Sequence, residues 1–155
     1  MPLNQNRVNI KTMKNHLLAL LLIISSTSFG QTKSKKLHLD KAKIAFIKYD
    51  EGWIFKNATK DKLNEKELFE VEELLKKCVA ESKIAINLNK YYRQYIVVKN
   101  NIGEKEIWLN CFCRVPYLNW RTEIIQVSDG GDCYFNVKIN LSLKTYYDLM
   151  VNGEA

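Results

Sequence analysis

Cys78, Cys111, Cys113 and Cys133 carry the most reactive side chains of this chain, and their number and spacing admit three kinds of chemistry. An even set of cysteines in an exported protein suits a disulfide framework, cysteines on apolar faces also serve as buried thiols, and Cys111-Phe112-Cys113 has the spacing of a soft-metal pair. Same-face neighbours on a strand stand roughly 6.6 Å apart with parallel Cβ vectors, so Cys111 is a poor partner for Cys113. Two connectivities remain: Cys78 with Cys111 and Cys113 with Cys133, or Cys78 with Cys113 and Cys111 with Cys133. No histidine stands near to complete a metal set, which places the metal reading last.

Histidine is missing where acid-base chemistry would need it. Beyond residue 30 the chain holds only His38, so a Ser-His or Cys-His pair has no base. Asp50 with Glu51, and Asp129 with Asp132, could act as paired carboxylates. Both pairs flank glycines, however, and turn acids are the simpler account. Asp129-Gly-Gly-Asp132 offers two carboxylates, short of the roughly six to eight oxygens that calcium takes. No glycine-rich phosphate loop is present. The sequence therefore predicts no enzyme, no cofactor and no metal.

Leu17 to Ile24 is an unbroken apolar run, preceded by Lys11, Lys14 and no acid, and followed by Ser25-Ser26-Thr27-Ser28. That order is the one of a secretory signal peptide over 1–30, cleaved before Gln31. The run is far short of the roughly 20 residues of a spanning helix, and no cysteine follows it for lipid attachment. The mature chain is expected to be exported, periplasmic or secreted, soluble and not a lipoprotein. Removing 30 of the 155 residues takes Arg7, Lys11 and Lys14 with them and lowers the net charge from +7 to +4. That balance serves solubility and gives no nucleic-acid signature.

The elements that must position the cysteines follow. Residues 31–41 read as a disordered leader and 42–155 as one domain. Lys43 to Tyr49 fits a strand buried on both sides, and Trp53-Ile54-Phe55 is a short second apolar piece. Asn64 with Glu67 has capping-box spacing, and Leu63 with Leu68 that of a hydrophobic staple. Leu68, Val71, Leu75, Cys78 and Val79 form one stripe, predicting a helix over about 65–81, with Glu72 to Lys76 and Glu73 to Lys77 as surface pairs. Tyr91 to Lys99, Glu106 to Val115, Thr122 to Val127, Cys133 to Leu141 and Lys144 to Val151 read as strands, with Asn100 to Gly103 as a turn and Pro116 as a stop. The fold class expected is α+β, one main helix on an antiparallel meander of four to six strands, with all four cysteines in the helix-sheet interface. In a strict meander the Thr122 strand would separate Cys133 from the Cys111 strand, so either the order differs or some thiols are free.

The order of strand, helix and four or more strands resembles the cystatin-like roll. The Gln-x-Val-x-Gly hairpin and Pro-Trp loop of cystatins are replaced by Asn100 to Gly103 and Pro116-Tyr117, so the resemblance implies a fold and not protease inhibition. The Phe-Gly-Gln junction and the closing Val-Asn-Gly-Glu-Ala are similar to small uncharacterised exported proteins of Bacteroidota-type bacteria, which brings no activity.

Period-two reading of the central strand leaves a second face. Trp108, Asn110, Phe112 and Arg114, with Tyr134, Asn136, Lys138 and Asn140 from the later strand, point away from the helix. Aromatics and arginine among amides suit a partner-binding surface. The competing expectation is that the chain covers this face itself, through Trp53, Ile54 and Phe55 or the tail. The sequence thus predicts a non-catalytic binding module of the bacterial envelope or exterior, with an envelope or secreted protein as partner. The alternatives are a structural accessory domain and a small carboxylate-dependent hydrolase.

Overall fold

The computed structural model describes residues 39–153, apart from 51, 53 and 116–118. The expected signal segment, His38, Glu51, Trp53, Pro116 and Tyr117 lie outside the described residues. Leu39 packs against the helix-side core, and Asp40 caps a short 3-10 turn over Lys41–Lys43.

The helix, α1 (Glu65–Ser82), begins as its sequence predicts. Asn64 Oδ1 accepts from the Glu67 amide at 2.9 Å, and Glu67 Oε2 accepts from the Asn64 amide at 2.8 Å. The reciprocal pair satisfies two of the orphan donors at a helix start. Val71, Leu75, Cys78 and Val79 are buried along one stripe, with Leu63 and Leu68 packed beside them. The expected surface pairs are replaced. Lys76 meets Glu73 at 2.6 Å and Lys77 meets Glu81 at 3.8 Å, while Glu72 is buried in the stripe itself.

Among the described residues six strands form one sheet: β1 (Ile44–Phe46), β2 (Thr59–Lys60), β3 (Tyr92–Lys99), β4 (Lys105–Phe112), β5 (Tyr134–Asn140) and β6 (Thr145–Val151). Their order is β1-β3-β4-β5-β6, with β2 also on β3. β3 to β6 form the expected antiparallel meander, but β1 runs parallel to β3. Parallel neighbours need a long crossover, and α1 lies within the one that joins β1 to β3. The sheet is therefore mixed and mostly antiparallel. At the β3–β4 turn Asn100 Oδ1 accepts from the amides of Ile102 and Glu104, and Gly103 supplies the positive φ of 87°.

Thr122 to Val127, expected as a strand, is irregular. It crosses the sheet face opposite α1, and β5 pairs directly with β4 in register Trp108↔Lys138. The physical reason lies in two side-chain amides that stand opposite one another, Gln94 on β3 and Asn110 on β4. Gln94 Nε2 donates to the carbonyls of Trp120 and Glu123, and Gln94 Oε1 accepts from the Ile125 amide at 3.0 Å. Asn110 Nδ2 donates to the Ile125 carbonyl at 2.8 Å and to Gln94 Oε1 at 3.0 Å. Buried backbone groups must be paired, and here side chains do what a ladder would have done.

Two cores result. On the α1 side Val71, Leu75 and Cys78 pack against Tyr95, Ile107 and Leu109 and their neighbours. On the far side Ile54, Phe55, Trp120 and Ile125 pack against Ile96, Trp108, Phe112 and Tyr134.

The cysteines divide between these layers. Cys113 and Cys133 form a disulfide, with Cα atoms 5.0 Å apart, and Cys78 and Cys111 are buried free thiols in the helix-side core. The expectation that all four face the helix is thus corrected. β4 ends at Phe112 and β5 starts at Tyr134, so alternation no longer governs Cys113 and Cys133, and Cys133 packs against the far-side core. Gly130 admits the turn into Cys133: its φ is 100°, and a Cβ there would lie 2.7 Å from the Tyr134 ring.

Candidate functional site

The face expected to bind a partner is largely the second core. Trp108, Asn110, Phe112, Tyr134 and Asn140 are buried, Phe112 completely. Trp108 Nε1 donates to Asn136 Oδ1 at 3.3 Å, and Asn140 Nδ2 donates to Glu104 at 2.7 Å. Arg114 is exposed beyond the end of β4. Asn136 and Lys138 remain half-exposed. Lys138 pairs with Asp148 at 3.1 Å and lies 5.7 Å from the Tyr147 ring centroid, so an open strip survives beside β6, where Met150 is exposed. Among the described residues the carboxylate candidates do not converge on a hidden site: Asp50 is exposed beside Lys48 at 3.6 Å, and Asp129 and Asp132 are exposed.

Sequence reasoning missed a charged cluster inside the helix-side core. Glu72, Arg93 and Tyr95 are 1%, 5% and 0% exposed. Tyr95 donates its phenolic hydrogen to Glu72 Oε1, and Arg93 Nε stands 3.3 Å from the same oxygen. Arg93 also donates to the Leu88 carbonyl at 2.9 Å and the Tyr91 carbonyl at 3.4 Å. Burial pushes the Tyr95 hydroxyl far above its ordinary value, and the charge of Glu72 adds to the shift. Burial likewise pushes the Cys111 thiol strongly upward, against the opposing pull of Arg93. The signal that could have found the cluster was Arg93 amid a Tyr/Ile/Val strand, together with Glu72 falling three and seven residues before Leu75 and Val79 on the apolar stripe.

Tyr95 has a second role: its ring floors a groove of about 570 Å³. The groove exists because the edge strand beside β3 is split. The chain leaves the edge after Ile47, whose amide donates to the Tyr95 carbonyl at 2.9 Å, and crosses to the far-side core. It returns at β2, and the Asp61 amide donates to the Val97 carbonyl at 2.9 Å. Between the two halves Phe46 lies over Tyr95, ring centroids 5.1 Å apart at 28°, and is 52% exposed. Leu63 and Val97 complete the apolar lining; Lys48, Lys60 and Lys62 also border the groove, but Lys60 stands opposite Val98 of the far-side core, so Asp61 and Leu63 are the side chains this edge turns inward.

Asp61 is the carboxylate at this groove, and Lys105 occupies it at 3.3 Å while also pairing with Glu67 at 2.7 Å. Burial alone would raise the Asp61 carboxyl, but the Lys62 amide and the Lys105 ammonium outweigh it and hold it below its ordinary value. A second, more open groove of about 600 Å³ lies where the chain leaves α1, between Lys76 and Asn89.

Among the described residues no helix is long and apolar enough to cross a membrane. No family model, curated protein or solved structure matches the chain.

Proposed function

We propose that this chain is a small exported, non-catalytic binding module whose binding surface is the groove between β1 and β2. The observation that carries this reading is Phe46, a large apolar side chain half open to solvent above a fully buried aromatic floor. A half-open apolar depression with a few charged groups at its rim is the usual form of a ligand site. Export is supported by the apolar Leu17–Ile24 run and by the Cys113–Cys133 disulfide, a bond that persists in oxidising compartments. A non-catalytic role is supported by the buried carboxylate Glu72, which is committed to Arg93 and Tyr95, and by the exposure of the turn acids.

Titration of the isotope-labelled, exported protein with soluble cell-envelope extract, followed by amide NMR, tests the reading. Saturable shifts at Lys60, Lys62, Leu63, Tyr95 and Val97 are expected. A response confined to Asn136, Lys138, Tyr147 and Met150 would move the site to the open strip, and no saturable response would overturn the binding role.

A further inference from the structure

Resting on the reading of the groove as the binding surface, we infer that the partner is a protein with an acidic segment, which docks on a cationic corner at the start of β1. Arg121 comes to this corner from the far-side cover and donates to the carbonyls of Ala42 and Ile44, the two residues that flank Lys43. Lys43 reaches from the same point to the Asn89 carbonyl at 2.9 Å, and Lys90 follows at the end of a 3-10 turn over Leu88–Lys90. An aromatic pair lies beside them. Lys43 Nζ stands 5.8 Å from the Tyr92 ring centroid, Arg121 Cζ stands 4.5 Å from that of Trp120, and the two rings meet edge to face at 5.2 Å. Lys41, in the turn before β1, and Lys90 are exposed.

Among the described residues none of Lys41, Lys43, Lys90 and Arg121 enters an ion pair. The acids beside them in the chain are Asp40 and Glu123, both exposed: Asp40 accepts from the Ala42 amide at 2.9 Å, and Glu123 from Asn119 Nδ2 at 2.9 Å. Four cations against two acids leave the corner positive. Each backbone tie spends only part of the donors of an ammonium or a guanidinium, so Lys43 and Arg121 are held in place with their charge and further donors still on offer. The ring faces are already taken, Trp120 by Arg121 and Tyr92 by Lys43 and, at 5.8 Å and 7°, by Phe112, so a sugar finds none to stack on. A run of carboxylates needs only the cations. Lys43 and Phe46 are about 10 Å apart along the chain, so one partner reaches both the corner and the groove.

The test uses the protein purified after export from the full-length gene, with a hexaglutamate peptide as the probe and amide NMR as the readout. Saturable shifts at Lys41 to Ile44, Asn89 to Tyr92 and Arg121 are expected, weakening as salt is raised. The paired change Lys41→Gln and Lys90→Gln, both at exposed sites, is expected to weaken the peptide about fivefold at low salt and to leave the thermal midpoint unchanged. Equal binding of hexalysine would overturn the acidic assignment. Shifts centred on Lys48, Lys60 and Lys62 instead would overturn the corner as the site. Binding of a sulfated oligosaccharide without binding of the peptide would assign the cations to a glycan and overturn the protein partner. No saturable response to the peptide would overturn the inference outright, whereas the envelope-extract titration judges the groove itself.

Discussion

The two faces of the sheet are covered by different means, and the contrast explains where polar side chains are buried in this protein. On one face lies α1, which satisfies its own backbone and needs from the sheet only an apolar surface. On the other lies an irregular segment around Trp120 and Ile125 that has no internal ladder. It takes its hydrogen bonds from Gln94 and Asn110, and Arg121 ties it to β1 by donating to the Ile44 carbonyl at 3.0 Å. Buried amides on the far face are thus the consequence of an irregular cover. The buried charge on the helix face serves backbone only through Arg93, which donates to the Leu88 and Tyr91 carbonyls; Glu72 is turned to side chains and, with Arg93, holds Tyr95 beneath the groove from behind.

The contrast can be broken most strongly at Glu72. Glu72→Ala leaves Arg93 buried beside no carboxylate and is expected to cost about 3–5 kcal/mol in urea denaturation, whereas replacing Glu72 and Arg93 together by leucine costs far less. A small loss for Glu72→Ala alone would mean that the cluster is not buried as described. On the far face the Cys113–Cys133 bridge spans a sequence separation of 20 that includes the covering segment. Its removal by Cys113→Ser with Cys133→Ser is expected to cost about 3 kcal/mol, read as a lower thermal midpoint under non-reducing conditions.

A smaller effect sharpens the comparison further. Gln94→Ala leaves the Ile125 amide and two carbonyls without their partner, for an expected loss of about 1–3 kcal/mol. Hydrogen exchange should show the Ile125 amide losing protection while the amides of α1 keep theirs; uniform loss would deny that the two covers are independent. The smallest effect concerns pH. Asp61 and Glu67 are both held below their ordinary values of 3.8 and 4.5 in the folded chain, Asp61 against burial and Glu67 first of all by Lys105. Their contribution is present above those ordinary values and is lost as pH falls through the lowered ones. Lys105→Met is therefore expected to lower stability slightly at neutral pH, by less than about 1 kcal/mol because the groups are partly exposed, and to flatten its fall under acid.

Much of this architecture was legible because it is local. The Asn64–Glu67 box, the stripe from Leu68 to Val79, and the alternation through β4 and β5 each declare themselves within a few residues. The rest depends on partners far away in the chain. Thr122 to Val127 has the β-branched composition of a strand, and nothing within it reveals that Gln94 and Asn110 will satisfy its backbone. Glu72 sits four residues before Lys76 and looks like half of a surface pair, until the fold brings Arg93 across from β3. Alternation placed Trp108, Phe112 and Tyr134 together on one face, but periodicity cannot distinguish an open face from one the chain covers itself. The groove depends on the edge strand being split between Ile47 and Thr59, which leaves no mark on either short strand.

The central claim is that the far face of the sheet is core, so that the surface left for a ligand is the groove at the split edge. Trp108 tests it most directly, because it is 3% exposed at the centre of that face. A denaturation midpoint for Trp108→Ala should report a loss of about 3–5 kcal/mol. A loss within about 0.5–1 kcal/mol would show an open face at β4 and contradict the account.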